Sequence, residues 1–346
     1  MVKIESRNLE KAWKEYTLTN DHGMQVNVLN FGGIITKMLV PDKADNLENV
    51  VLGYADYKEY QSNPNYFGAI IGPVAGRIAN SQFALDGLEY KLENNEGAHH
   101  LHGGSTGFHQ VIWDVESFEK SDAVGLVLSY TRADGEGGYP GNVDIQVTYT
   151  LHQNNQFEIS YTASTDKTTP LTLTNHSYFN LSGNLRNTLH EQHVSIDSDH
   201  VVELDEKLIP TGELLSVEGT TFDFRESRAL QDGFNGDTEQ NRVAGQGIDH
   251  YFIFNGSNEA AKATIADPVS GRKMTVQTDQ PGMVMYTSNN LPEGLKLQEG
   301  TSRQYLGVCF ETQTSPASLH HEGFPGVVLN PGKVYQTRTL FDFGVL

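Results

Sequence analysis

Between positions 143 and 151, apolar residues take every second place (Val143, Ile145, Val147, Tyr149, Leu151), and Asp144, Gln146, Thr148 and Thr150 stand between them. In an extended chain that period puts the two sets on opposite faces, so it predicts a strand with one face buried. Asn154-Asn155 then offers a turn, and Phe157, Ile159 and Tyr161 resume the alternation, which completes a β-hairpin. A second hairpin is predicted around Asp86-Gly87, with Phe83 and Leu85 before it and Leu88, Tyr90 and Leu92 after it. A third pairs residues 263–267 with 273–278 across Pro268-Val269-Ser270-Gly271. Helical spacing is scarce, with short candidates only near 56–61 and 226–231.

Gly 34 and Pro 12 supply turn punctuation throughout the 346 residues. No fixed-period repeat, low-complexity tract or polar linker divides the chain. Many short strands joined by turns predict one all-β domain spanning 1–346, a large antiparallel sandwich or barrel with few short helices. A chain of this size buries roughly 75% of its surface on folding, so its core needs no staples.

Charge narrows the range of partners. Lys+Arg 24 against Asp+Glu 44 gives a formal net charge of -20, which phosphate backbones and anionic membrane surfaces repel. The expected partner is a small neutral or cationic molecule, with no nucleic acid and no membrane, on a monomer or homodimer; solubility alone is the rival reading of the charge. The longest apolar stretch, 66–75, is broken by Gly68, Gly72 and Pro73 and is too short to span a bilayer. The first sixteen residues hold no apolar signal core, and Cys309 is the one cysteine, so the expected location is cytoplasmic.

Several short motifs fail on mechanics. Gly103-Gly104-Ser105-Thr106-Gly107 fits a hydrolase nucleophile pattern, but that device needs a strand before the serine and a helix after it. The following Phe108-His109-Gln110-Val111-Ile112-Trp113 resembles a strand entrance, so the motif is expected to be a turn. Gly72-Pro73-Val74-Ala75-Gly76-Arg77 lacks the lysine and hydroxyl of a phosphate loop. His99, His100 and His102 lack a recognisable metal spacing, and neither metal nor cofactor is expected.

Two segments carry groups suited to chemistry. In 306–313, Leu306, Val308 and Phe310 alternate with Gly307, Cys309 and Glu311, so Glu311 shares a face with two small residues. That leaves room for a ligand above a carboxylate; an edge carboxylate facing water is the rival reading. In 171–176, Leu171 and Leu173 point one way and Thr172, Thr174 and His176 the other. His176 is then either a catalytic group or a core histidine satisfied by a hydrogen bond.

Leu101-His102-Gly103-Gly104, Thr174-Asn175-His176-Ser177-Tyr178-Phe179-Asn180-Leu181, Gly247-Ile248-Asp249-His250, Gln280-Pro281-Gly282 with Tyr286-Thr287, and Phe310-Glu311-Thr312-Gln313 occur in that order. Together they resemble the galactose mutarotase (aldose 1-epimerase) family from end to end. The resemblance implies a mutarotase-like supersandwich with a sugar groove on one sheet. It implies an isomerase that interconverts the α and β anomers of free hexoses such as galactose or glucose without a cofactor. It assigns Glu311 as the base at the anomeric hydroxyl, His176 as the acid at the ring oxygen and His102 as a second histidine beside that oxygen. Arg77, Asp249 and Gln280 are implied to hold sugar hydroxyls. An epimerase of a disaccharide such as maltose, or a non-catalytic carbohydrate-binding protein, would use the same scaffold. Departures from the usual family pattern fall at Pro73, Gly76 and the 316–320 segment.

Overall fold

The computed structural model describes residues 2–234, 236–256 and 260–346. Three antiparallel sheets carry most of its strands. The first is a meander of five strands, from Lys3–Asn8 to Leu47–Asn49, each hydrogen-bonded to the next. The second has nine strands in the order Asp114–Glu119, Ala123–Arg132, Val143–His152, Gln156–Thr165, Tyr335–Val345, Arg272–Thr278, Ala263–Ala266, His193–Ile196, Arg228–Ala229. The third has six, in the order Tyr178–Phe179, Val308–Gln313, Gly282–Tyr286, Asp249–Ile253, His200–Leu204, Pro210–Ser216.

All three expected hairpins form. Val143–His152 pairs with Gln156–Thr165, Gln82–Leu85 with Leu88–Lys91, and Ala263–Ala266 with Arg272–Thr278. In the first, Val143, Ile145, Val147, Tyr149 and Leu151 are all buried, as the alternation requires. Helices are few and short. Tyr57–Gln61 is a 3-10 turn capped by Asp56, whose carboxylate accepts from the Lys58 amide at 2.9 Å. The helix expected over 226–231 is displaced: Arg228–Ala229 joins the large sheet, and the helix covers Gln231–Phe234. A further short helix, Glu239–Val243, is capped by Thr238.

The nine- and six-stranded sheets share one apolar core. Met283, Met285, Phe252 and Phe310 of the smaller sheet join a buried cluster with Met274, Val276, Phe341 and Phe343 of the larger. Phe179 packs its ring 5.2 Å from that of Phe341. Burying side chains of this size stabilises by about 1.5–3 kcal/mol each. Because successive strand residues face opposite ways, sinking Phe310, Met283 and Phe252 into this core presents Cys309, Glu311, Val284 and Tyr251 on the other face. That face carries the site.

Candidate active site

The antiparallel register sets the floor of the site. Glu311 lies opposite Val284, and Val284 opposite Tyr251, forming one row across three strands. The next row runs Tyr178, Cys309, Tyr286, Asp249. Gly282 pairs with Gln313 beyond them. A Cβ at Gly282 would lie 2.5 Å from the Tyr251 ring, so the glycine makes room for that ring, whose hydroxyl donates to the Gln313 carbonyl at 2.9 Å. Glu311 is therefore no edge carboxylate. Its strand is paired on both sides, and the residue is 3% exposed.

Loops build the walls. His176 follows the short strand Thr174–Asn175, and its amide donates to the Ala69 carbonyl at 2.9 Å while its carbonyl accepts from Gly68 at 3.0 Å. Asn175 reinforces the turn, donating to the Gly68 carbonyl at 2.9 Å and accepting from the Ser177 hydroxyl at 2.7 Å. Arg77 and Leu101 face each other in the pairing of Arg77–Ile78 with His100–Leu101. The chain then turns through three left-handed residues, His102 (φ 54), Gly103 (φ 83) and Gly104 (φ 66). Gly103 tolerates no side chain, because a Cβ there would sit 2.1 Å from the Gly72 carbonyl oxygen. The turn swings His102 into the site, away from its neighbours. His99 accepts from the Asn80 amide at 3.1 Å, and His100 bonds the Glu93 carbonyl at 2.8 Å.

The segment Gly104–Thr106 is a 3-10 turn, as expected. Phe108–Gln110 is a second such turn where a strand entrance was expected, and the strand begins only at Asp114.

These elements enclose a cavity of about 280 Å³. Five of the six expected site residues line it: Arg77, His102, His176, Asp249 and Glu311. Gln280 does not. Its side chain is buried nearby, donating to the Tyr335 hydroxyl at 3.3 Å and accepting from Thr314 at 3.2 Å. Both ends of the amide are thereby committed to the protein. Sequence reasoning gave no site role to Tyr66, Tyr178, Tyr251, Tyr286, Glu96 or Val284, all of which line the cavity. Tyr178 and Tyr286 stood inside quoted motifs, so their signal was present; Glu96 had none.

His176 Nε2 lies 3.5 Å from Glu311 Oε1, and both residues are buried. Burial pushes His176 down to about 3 and lifts Glu311 well above the carboxylate range, with neighbouring Asp249 adding to the lift and Arg77 opposing it. Both shifts disfavour charge. Burial thus works against an imidazolium on His176 and against a carboxylate on Glu311. A proton moved across the 3.5 Å contact, from carboxyl to ring, gives the ionic form without any exchange with solvent.

His102 differs. Its Nδ1 accepts from the Gly76 amide at 3.1 Å, so its Nε2 carries the hydrogen. Burial, together with His176 and Arg77 nearby, holds it well below the usual histidine range. His102, His176 and Glu311 each offer a ligand atom within 4.8 Å of the others, a separation a metal ion would tolerate. The one lone pair of neutral His102 is already engaged by Gly76, which disfavours that use.

Arg77 spends two guanidinium nitrogens on Glu96, at 2.7 and 3.0 Å, so that side of its fork is committed to the carboxylate. Its third nitrogen lies 3.6 Å from Asp249 Oδ2. Asp249 opens the strand Asp249–Ile253 and is not a turn residue. Burial raises its carboxyl, and Arg77 counteracts the rise. Gly76 and the 316–320 segment meet at the rim: a Cβ on Gly76 would come within 2.9 Å of Pro316.

A histidine and a carboxyl 3.5 Å apart on the floor of a sheet, flanked by an arginine, a second carboxyl and four tyrosines, line one small polar cavity. The sequence profile of the aldose 1-epimerase family matches residues 14–342, and the chain belongs to that family, a family of isomerases. It is 39% identical over 334 residues to the galactose mutarotase of Sus scrofa, covering 96% of this chain and 94% of that one. Maltose epimerase of Levilactobacillus brevis is 34% identical over 315 residues, covering 91% and 90%. The crystal structure of galactose 1-epimerase from Lactobacillus acidophilus superposes with a TM-score of 0.88 at 29% identity, covering 100% of this chain and 99% of that one.

Proposed function

We propose that the protein interconverts the α and β anomers of free hexoses, galactose or glucose, by opening and reclosing the pyranose ring between Glu311 and His176. Glu311 takes the proton of the anomeric hydroxyl as the bond from C1 to the ring oxygen breaks, and His176 delivers a proton to that oxygen. The free aldehyde turns about its C1–C2 bond and recloses on the other face, with both protons retraced. Protons in and out balance, so the reaction needs no cofactor. His102 adds an Nε2–H donor beside the ring oxygen. Asp249 accepts from a sugar hydroxyl, and the Arg77 nitrogen left free by Glu96 donates to one.

The observation that carries this reading is the 3.5 Å contact between His176 and Glu311 inside the cavity. Acid–base help of this kind contributes about 10²–10⁴-fold per group, which suits a reaction that already proceeds in water. The test is polarimetry of freshly dissolved α-galactose with catalytic amounts of protein, repeated with glucose, xylose and maltose. Unaltered mutarotation on all four sugars would refute the proposal. Leu204, Leu208, Pro210 and Pro316 give the cavity an apolar side on which a second sugar ring would pack; faster turnover of maltose than of galactose would identify a disaccharide epimerase instead.

We also place the protein in the cytoplasm, where a lone buried thiol such as Cys309 stays reduced. Among the described residues no helix is long and apolar enough to cross a membrane.

A further inference from the structure

The proposed reaction uses His176 through Nε2 and leaves its other ring nitrogen unexplained. Nδ1 lies 3.5 Å from Cys309 Sγ, its one side-chain hydrogen-bond partner among the described residues, and the ring also bonds the backbone carbonyl of His176 itself. Cys309 is fully buried, two residues before Glu311 on the same strand face, and it faces Tyr178 on one side and Tyr286 on the other. Tyr178 also packs its ring 5.1 Å from the imidazole. The sulfur is thus held against the ring by strand pairing.

An imidazole that gives a proton from Nε2 and later takes it back must keep a hydrogen on Nδ1 throughout. Were Nδ1 bare, donation from Nε2 would leave an imidazolate. The partner of Nδ1 therefore has to be an acceptor. A carboxylate in that place would make the ring more basic and a poorer acid. A thiol sulfur accepts weakly and adds no charge.

We propose that Cys309 is a positioning residue: its sulfur accepts the Nδ1–H of His176 and fixes the tautomer whose Nε2 exchanges a proton with the sugar. This rests on the acid–base reading above. Cys309 touches neither sugar nor reacting atoms; it acts through the ring. The same tautomer turns Nε2 toward Glu311 Oε1, 3.5 Å away, so the resting contact and the catalytic one use the same nitrogen.

The test combines ¹⁵N NMR of histidine-labelled protein without sugar and steady-state mutarotation of wild type, Cys309→Ser and Cys309→Ala. Wild type and the serine variant, which keeps an acceptor, should show His176 protonated on Nδ1 and bare on Nε2. The alanine variant should show mixed tautomers and a kcat about tenfold lower, the scale of one lost hydrogen bond, with KM within twofold. Serine should restore most of the rate. A wild-type His176 bare on Nδ1 overturns the proposal, whether or not the variants fold. An alanine variant with an unchanged spectrum overturns it too, even if its rate falls. Because the spectra are recorded without sugar, they decide the tautomer independently of turnover; a wild type inactive on every aldose would sink the acid–base reading instead.

Discussion

Glu311→Gln separates what this carboxyl does for the reaction from what it does to the fold. Glutamine keeps the shape and a hydrogen-bonding partner for His176 but cannot take a proton. If Glu311 is the base, the change removes a contribution of about 10²–10⁴ in rate, or roughly 3–5.5 kcal/mol of barrier. The structure also dictates the effect on stability. The Glu311 carboxyl is raised well above its ordinary range by burial, so its contribution to stability is fully present below the unfolded carboxylate pKa and is lost as pH rises toward the folded value. Glutamine carries no such titration. The variant should therefore match wild type near pH 4 and become progressively more stable than wild type toward pH 8. Polarimetry gives the rate and thermal melts at several pH values give the stability. A variant within threefold of the wild-type rate refutes the base assignment. A stability difference that stays constant from pH 4 to 8 refutes the buried, protonated carboxyl.

Three further outcomes are expected. Since burial pushes His176 down to about 3, an NMR pH titration of its ring should show no protonation near 6.5, the ordinary histidine value; a midpoint there would contradict this. Arg77→Lys loses the two-pronged grip on Glu96 and should raise KM about tenfold or more while changing kcat less, measured from initial rates over a galactose series. Gly103→Ala must strain a residue at φ 83 and meet the Gly72 carbonyl oxygen, costing about 1–3 kcal/mol or more in urea titrations; unchanged stability would show that this turn relaxes freely.

Sequence alternation located the hairpins because a half-buried strand writes its pattern locally: Val143 to Leu151 needs no distant partner to be recognised. The central strands of the smaller sheet are buried on both faces, so in Val308–Gln313 periodicity names two faces without saying which holds the site. The motifs pointed to Glu311 and His176, which the fold brings together in the cavity. Gln280 was misplaced because Gln280-Pro281-Gly282 is needed for its glycine, which clears space for Tyr251, while the glutamine side chain turns toward Tyr335 and Thr314. Glu96 was invisible because its tie to Arg77 depends on how a loop meets a short strand 19 residues away in the chain. The burial that disfavours charge on both His176 and Glu311 was invisible for a similar reason, since it depends on how walls and floor close over the pair. The short helix Glu239–Val243 lacks an apolar stripe, although Thr238, which accepts from the Asn241 amide at 3.2 Å, is a cap the chain displays openly.

The rows Glu311–Val284–Tyr251 and Cys309–Tyr286–Asp249 have a consequence for how such a protein can change. A single inserted or deleted residue within Val308–Gln313 would not merely shift the carboxylate; it would exchange the two sides of the strand, driving Glu311 into the oily interior and presenting Phe310 or Thr312 to the sugar. Chemistry and core are thus locked to one another by parity. A change of length is accommodated without this exchange only in the connecting loops, and those around 205–209 and 316–320 bring Leu208 and Pro316 to the cavity, where a new substrate preference can arise without dismantling the reaction.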